Sequence, residues 1–341
     1  MHGPGIEAWD VATDEVAHDT PLPELLRTLV RYAILAPSTH NTQPWRFRVT
    51  GDAIEVWSDP GRILPRIDPT HRQLLMSCGA ALFNLRIALR RHGHADDVDL
   101  LPSATHPDLL AVLRSRGPIT PTERDEALFA AIPRRRTSRA AYLPRPVSAV
   151  IADELAHDAG AEGAWLCRLH PHDKLAVADL VATADRKQFA DPAFRDELAR
   201  WLVPRGSGRR DGIPMIKKDV MTAIPLAATL LVRSFDRGGG IAAREAELAT
   251  ASPLLAVLGT DLDDPSDWLA AGQAMQAVLL RATSVGLSAS FLNQALEEAE
   301  IRPRVGDAAR RHGYPQLVLR FGVGPEVPPT PRRPLAEVMF E

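Results

Sequence analysis

The chain has 341 residues, 40 Lys and Arg against 43 Asp and Glu for a formal net charge of -3, 24% charged residues and 45% hydrophobic ones. That length suits two domains or one duplicated domain, and the near-neutral charge excludes a dominant basic surface of the kind that binds nucleic acid. The two cysteines, Cys78 and Cys167, lack CxxC or Cys/His ligand spacing, so they indicate neither a disulfide framework nor a zinc site.

The first residues, Met1-His2-Gly3-Pro4-Gly5, carry no basic n-region or apolar core, and no apolar run reaches the roughly 20 residues that span a bilayer. The expectation is a cytoplasmic protein without a membrane partner. After a polar leader (1–20), Leu22 to Ala36 has the apolar spacing of an amphipathic helix and must stop at Pro37. Ala36 to Trp45 then forms a rigid polar loop, followed by a strand pair, Trp45 to Val49 and Ala53 to Trp57, around Gly51-Asp52. A second helix is predicted after Asp68-Pro69-Thr70, with Thr70 as its N-cap and Gly93 as its stop. Cys78 falls on its apolar face as a small buried hydrophobe. Val98 to Leu101 and Leu109 to Leu113 read as strands.

The same grammar returns downstream. A helix over Val150 to Ala159 is the counterpart of Leu22 to Ala36, Pro253 to Leu258 is a strand, Asp264-Pro265-Ser266 opens a helix from Trp268 to Gly286, and Pro315 to Phe321 is another strand. Gly79-Ala80-Ala81-Leu82 lines up with Gly272-Gln273-Ala274-Met275, and Gly93 with Gly286. Several such matches in one order suggest two copies of one α/β unit. The boundaries expected are 21–130 for the first half and 131–341 for the second, with 185–218 as a Gly/Arg-rich lid or surface loop and an apolar helical stretch at 220–232.

Two stretches carry the chemistry. The loop Ala36-Pro37-Ser38-Thr39-His40-Asn41-Thr42-Gln43-Pro44-Trp45 offers hydroxyls, amides and backbone groups suited to the edge of a planar heterocycle. Its place in the second half is taken by Gly160-Ala161-Glu162-Gly163-Ala164-Trp165, without the hydroxyls and amides. Pro133-Arg134-Arg135-Arg136-Thr137-Ser138-Arg139 concentrates guanidinium groups that match phosphate oxygens, and a smaller basic patch follows at Pro331-Arg332-Arg333-Pro334.

"APSTHNTQPWRF" resembles the APSxxNxQPWxF signature of the FMN-dependent nitroreductase superfamily, and Arg135 to Arg139 is similar to that superfamily's RRSxR segment, with Thr137 in place of the serine. The order of the two motifs resembles the Acg-like flavoproteins of actinobacteria. The resemblance implies an α+β, nitroreductase-like fold in which two tandem copies form an intramolecular pseudo-dimer with central helices and mixed β-sheets. It implies one retained FMN site, functional in a monomer. There Pro37, Ser38, Thr39 and Asn41 contact the ring edge. Arg135, Thr137 and Arg139 hold phosphate and ribityl oxygens, Arg332 and Arg333 add phosphate charge, and Leu292, Asn293 and Gln294 lie near the reactive face. The implied activity is hydride transfer from NAD(P)H through FMN to a small-molecule acceptor, a nitro compound or quinone. The alternative is an FMN-storing protein whose lid prevents turnover. No catalytic side chain and no metal is expected; His40 reads as a structural group.

Overall fold

The computed structural model of the chain describes residues 5–11, 20–204, 207–215 and 238–341. The apolar stretch expected at 220–232 lies outside them. No helix among the described residues is long and apolar enough to cross a membrane.

The first half runs α1 (Leu22–Ala33), β1 (Trp45–Thr50), β2 (Ala53–Ser58), α2 (Arg72–Arg91), β3 (His94–Leu100) and β4 (Leu109–Pro118), followed by α3 (Glu123–Ala131). The second runs α4 (Ala149–Ala161), β5 (Trp165–Arg168), α5 (Pro171–Ala190), α6 (Pro192–Trp201), the short parallel pair β6 (Leu202–Val203) and β7 (Ile213–Pro214), α7 (Gly238–Thr250), β8 (Leu254–Thr260), α8 (Pro265–Ser284), β9 (Ser288–Phe291), α9 (Gln294–Glu297), α10 (Arg302–Ala309), β10 (Tyr314–Gly322) and α11 (Leu335–Val338).

The two four-stranded sheets have the orders β1-β2-β4-β3 and β5-β8-β10-β9. In both, the strands taken in chain order stand first, second, fourth, third. A 20-residue helix, α2 or α8, links the second strand to the third each time. The sequence reading expected mixed sheets, but every pairing within the two four-stranded sheets is antiparallel. On these two sheets, among the described residues, parallel pairing enters as single bridges to edge strands, Phe47 to Met339 and Thr137 to Ala289. The second bridge carries the arginine segment to the edge of the second sheet.

One continuous core joins both sheets to α2 and α8. The two long helices cross where their glycines meet. A Cβ on Gly79 would lie 3.1 Å from Gly272 Cα and overlap the Leu269 carbonyl, while one on Gly272 would lie 2.7 Å from Met76 Cα and overlap the Met76 carbonyl. Backbone therefore packs on backbone, which side chains at these positions would forbid. One turn along, Gln276 Nε2 donates to Asn84 Oδ1 (2.7 Å), and Asn84 Nδ2 donates to the Tyr32 carbonyl (2.8 Å), so the buried amides tie α8 to α2 and α1.

The halves differ in what covers the outer face of each sheet. In β1, Trp45 and Phe47 face the core while Arg46 and Arg48 reach the surface, the alternation of a sheet with one wet face. In β8, Leu254, Ala256 and Leu258 join the main core, whereas Leu255 and Val257 join a second cluster with Val177, Leu180 and Val181 of α5. The segment between β5 and β8 supplies that second layer. The lid expected at 185–218 is thus helical as far as Trp201 and continues, among the described residues, into the short pair β6 and β7; 205–206 and 216–218 lie outside the described residues.

Local capping also departs from expectation. Thr70 is not the N-cap of α2; His71 holds that position with φ 63°, and the Asp68 carboxylate accepts from Gln73 N (3.1 Å) and Leu74 N (2.9 Å). A carboxylate satisfies two of the helix's orphan donors where a single hydroxyl would satisfy one. Cys78 is buried as expected, and burial raises its thiol pKa.

Gly272→Ala should cost at least about 2 to 3 kcal/mol, because no side-chain rotation relieves a backbone overlap. Gly160→Ala, where a Cβ meets nothing within 4 Å, should be neutral or stabilise by about 0.5 to 1 kcal/mol. Urea denaturation of both variants checks the contrast; equal stabilities would contradict the close crossing.

Candidate functional site

Helix α1 ends because Pro37 cannot donate and pushes Ala36 out of the helical region. Leu35 and Ala36 continue in 3₁₀-type turns to Tyr32 and Ala33, leaving their own carbonyls available. The loop that follows is held in uncommon backbone geometry: His40, Asn41 and Gln43 have φ of 51°, 54° and 52°. Left-handed conformations at three non-glycine residues within four positions are sustained only when surrounding contacts determine them.

Those contacts come from four places. Ser38 Oγ accepts from Gln43 N (2.9 Å), and Thr39 Oγ1 donates to Gln73 Oε1 (2.8 Å). Arg332 Nη1 donates to Asn41 Oδ1 (3.0 Å), and Arg333 N donates to Gln43 Oε1 (2.8 Å). From the Gly/Arg-rich stretch, Gly212 N donates to the Asn41 carbonyl (3.2 Å), while Gln43 Nε2 donates to the Arg210 carbonyl (2.8 Å). Residues 207–215 thus lie against the loop. Gln43, fully buried, is its hub.

The arginine segment meets the same loop at its helical end. Arg135 Nη2 and Arg332 Nη2 both donate to the Leu35 carbonyl, at 3.4 and 3.3 Å, and Arg332 adds the Ala36 carbonyl at 3.1 Å. Both arginines are buried, and no carboxylate pairs with Arg135, Arg136 or Arg332 among the described residues. Burial pushes the Arg135 guanidinium down to about 9, aided by Arg136, and lowers Arg332 through burial and repulsion from Arg135 and Arg136. Arg135 Nε, Arg332 Nε and the buried Ser138 Oγ have no hydrogen-bond partner among the described residues. Concentrated positive charge with orphaned donors fits a phosphate-sized dianion.

The expected site residues therefore fall into groups. Pro37, Ser38, Thr39, Asn41, Arg135, Thr137 and Arg332 share one region, with Thr137 Oγ1 3.4 Å from Arg135 Nη1. Arg139 is exposed, and its charge reaches His40 and Glu245. Arg333 is already neutralised, by Asp59 (3.2 Å) and Glu337 (3.5 Å), so its role is to hold the chain end against Gln43. Leu292 is packed in the second core cluster, and Asn293 Oδ1 accepts from Val318 N (3.0 Å), which commits both to the sheet. Gln294 turns instead toward Asp185, whose buried carboxyl is raised to about 7 by burial and by Glu245 and Glu297. Glu297 in turn accepts from Gln73 Nε2 (3.1 Å), linking this acidic group to Thr39.

Several contributors escaped the sequence reading. Ser138 occupies the variable position of the arginine motif. Arg320, buried in an apolar strand, donates to the Ser138 and Ala140 carbonyls at 3.1 and 2.9 Å; one charge within Leu317-Val318-Leu319-Arg320-Phe321 was the available signal. Trp9 of the leader places its ring 3.9 Å from the Arg136 guanidinium and 4.7 Å from that of Arg332.

His40 is half-buried with its Nδ1 enclosed, and burial with the nearby Arg139 charge lowers its pKa to about 3. The folded chain keeps it neutral while the unfolded chain takes up a proton below about 6.5, so its contribution to stability is complete above pH 6.5 and is lost as pH falls toward 3. His40→Asn suits the left-handed backbone and should make the loss of stability between pH 7 and pH 5 shallower, as urea midpoints would show. An unchanged slope would contradict the buried neutral ring.

No family model matches the chain. Among curated proteins it is similar to "Putative NAD(P)H nitroreductase Rv3131" of Mycobacterium tuberculosis, 35% identical over 324 residues, covering 94% of this chain and 92% of that protein. It is also similar to "Putative NAD(P)H nitroreductase acg" of the same organism, 27% identical, covering 92% and 95%. Among solved structures, the FMN and NADPH-dependent nitroreductase NfnB of Sphigopyxis sp. strain HMH aligns with TM-score 0.42 and 17% identity, covering 63% of this chain and 98% of that one. Identity at this level along almost the whole of both chains means that this chain belongs to the nitroreductase superfamily, in its Acg-like group.

Proposed function

We propose that the chain binds one FMN in a composite site and carries electrons from NAD(P)H to a small-molecule acceptor such as a nitro compound or a quinone. The observation that carries the reading is the pair of buried guanidiniums of Arg135 and Arg332, without a carboxylate partner among the described residues, converging on the Leu35 carbonyl beside the polar loop. The names of the mycobacterial relatives agree with it. FMN, when bound, supplies hydride acceptance and donation. Arg135, Arg332 and Ser138 would hold its phosphate, Thr137 and Arg139 the ribityl oxygens, and the loop from Pro37 to Asn41 the ring edge.

In this reading the protein is a fused pseudo-dimer, with one half supplying the loop and the other the arginine segment. The repeated strand order and the glycine crossing support it. Neither half holds both motifs, so one site is expected in a monomeric chain. His40 stays neutral at working pH and offers no acid.

A specific observation favours a second reading, in which FMN is stored with little turnover. Residues 207–215 are already hydrogen-bonded to Asn41 and Gln43, and Arg62 Nη1 fastens them through Asp211 Oδ2 (2.9 Å). These contacts support a cover at one side of the loop.

Anaerobic addition of NADH or NADPH to the purified protein separates the two. Bleaching of a yellow chain and recovery with menadione or a nitroarene supports the oxidoreductase; yellow that resists both nicotinamides supports storage. A chain that stays colourless after incubation with FMN contradicts both. Arg135→Ala and Arg332→Ala should each weaken FMN binding by about 1.5 to 3 kcal/mol, the range for a charge-assisted bond. Unchanged titration curves for both would contradict the phosphate assignment.

A further inference from the structure

Residues 5–11 of the leader are folded onto the arginine cluster. Trp9 is buried, and its indole Nε1–H donates to the Thr330 carbonyl (2.8 Å), next to the chain that presents Arg332. Its ring stands 3.9 Å from the Arg136 guanidinium, 4.7 Å from that of Arg332 and 6.0 Å from that of Arg135. No other aromatic residue among those described faces three guanidiniums in this structure.

The strap is pinned at its start as well. Arg332 N donates to the Gly5 carbonyl (2.9 Å), and at φ 82° a Cβ on Gly5 would lie 2.7 Å from the Arg332 carbonyl oxygen. Glu7 approaches Arg210 at 4.0 Å, and Val11 is buried in the main core. Residues 5–9 therefore cover the guanidiniums with a buried ring and closely packed backbone.

That placement bears on what an occupant of the pocket can look like. A phosphate monoester ends at its phosphate, with three oxygens free to meet the arginines. A diphosphate-linked dinucleotide has to continue past the guanidiniums. Taking the arginine pocket as the flavin phosphate site, as proposed above, we infer that Trp9 is the wall that ends it and makes the chain select FMN over FAD. The indole face also keeps the guanidiniums in place through cation–π attraction while leaving their remaining N–H groups for the phosphate.

The test is flavin fluorescence titration of the full chain with FMN and with FAD, for the native protein, Trp9→Ala, Trp9→Phe and Gly5→Ala. The native chain should bind FMN at least about a hundredfold more tightly than FAD; Trp9→Ala should narrow that ratio by at least about tenfold, and Trp9→Phe, which keeps a ring, should preserve most of it. Gly5→Ala displaces the strap without removing the indole and should move the ratio the same way, so it serves if Trp9→Ala does not fold. A ratio within about twofold of native in whichever of these two variants folds overturns the inference while leaving FMN binding intact. Failure of the native chain to bind FMN at all overturns the earlier reading, and this one with it.

Discussion

The close crossing of α2 and α8 sets the geometry on which everything else depends. With Gly79 and Gly272 in backbone contact, the two long helices approach as side-chain-bearing helices cannot, and each carries its own antiparallel sheet to opposite sides of one shared core. Helix α1 packs on α2 through Asn84 and the Tyr32 carbonyl, so the loop that ends α1 is positioned from the same crossing. The arginine segment arrives from the other side, fastened to β9 by the Thr137 to Ala289 bridge. A loop and a cation cluster about 100 residues apart in the chain meet because two glycines let two helices touch.

The meeting is electrostatically incomplete in a way that describes a ligand. Burying a guanidinium costs several kcal/mol unless it is paired, yet among the described residues Arg135 and Arg332 meet only neutral acceptors: backbone carbonyls, the Thr137 and Thr330 hydroxyls and the Asn41 amide. The negative end of α1 offsets part of the penalty. An anion would offset far more, and by linkage it would stabilise the fold in proportion to its own affinity. Arg333, one residue on, shows the alternative: paired with Asp59 and Glu337, it holds structure.

Much of this was legible in the residues. Pro37 closing the turn that follows a helix and the alternation of Trp45 to Val49 follow from local rules of backbone geometry and period, and the structure bears both out; Gly79 and Gly272, aligned in the sequence, lie in contact. The two motifs marked the region of the site. What escaped depends on tertiary placement. Leader residue Trp9 carries no periodic signal, and nothing near it in sequence foretells three arginines. Ser138 sits at a position that a motif leaves open. The family resemblance placed Asn293 near the reactive face, and nothing local in the sequence marks its bond to Val318 N on the neighbouring strand. Thr70 lost the N-cap to Asp68 because a carboxylate two residues earlier reaches two amides at once. Mixed sheets were expected from the family resemblance, whereas the strands of the two four-stranded sheets pair antiparallel, with parallel pairing in the short β6/β7 pair and in two bridges at the sheet edges.

The central claim is that one site is assembled from two unlike halves of one chain. The second half replaces the polar loop by a direct passage from α4 to β5, and the first half has no arginine segment, so a symmetric second site has no residues to build it. Equilibrium dialysis against FMN, with the protein's mass in solution measured alongside, tests this most directly. The account requires one FMN bound per monomeric chain, with that binding abolished in the Arg135→Ala, Arg332→Ala double variant. Two FMN per chain, or one FMN shared by two chains, would contradict it.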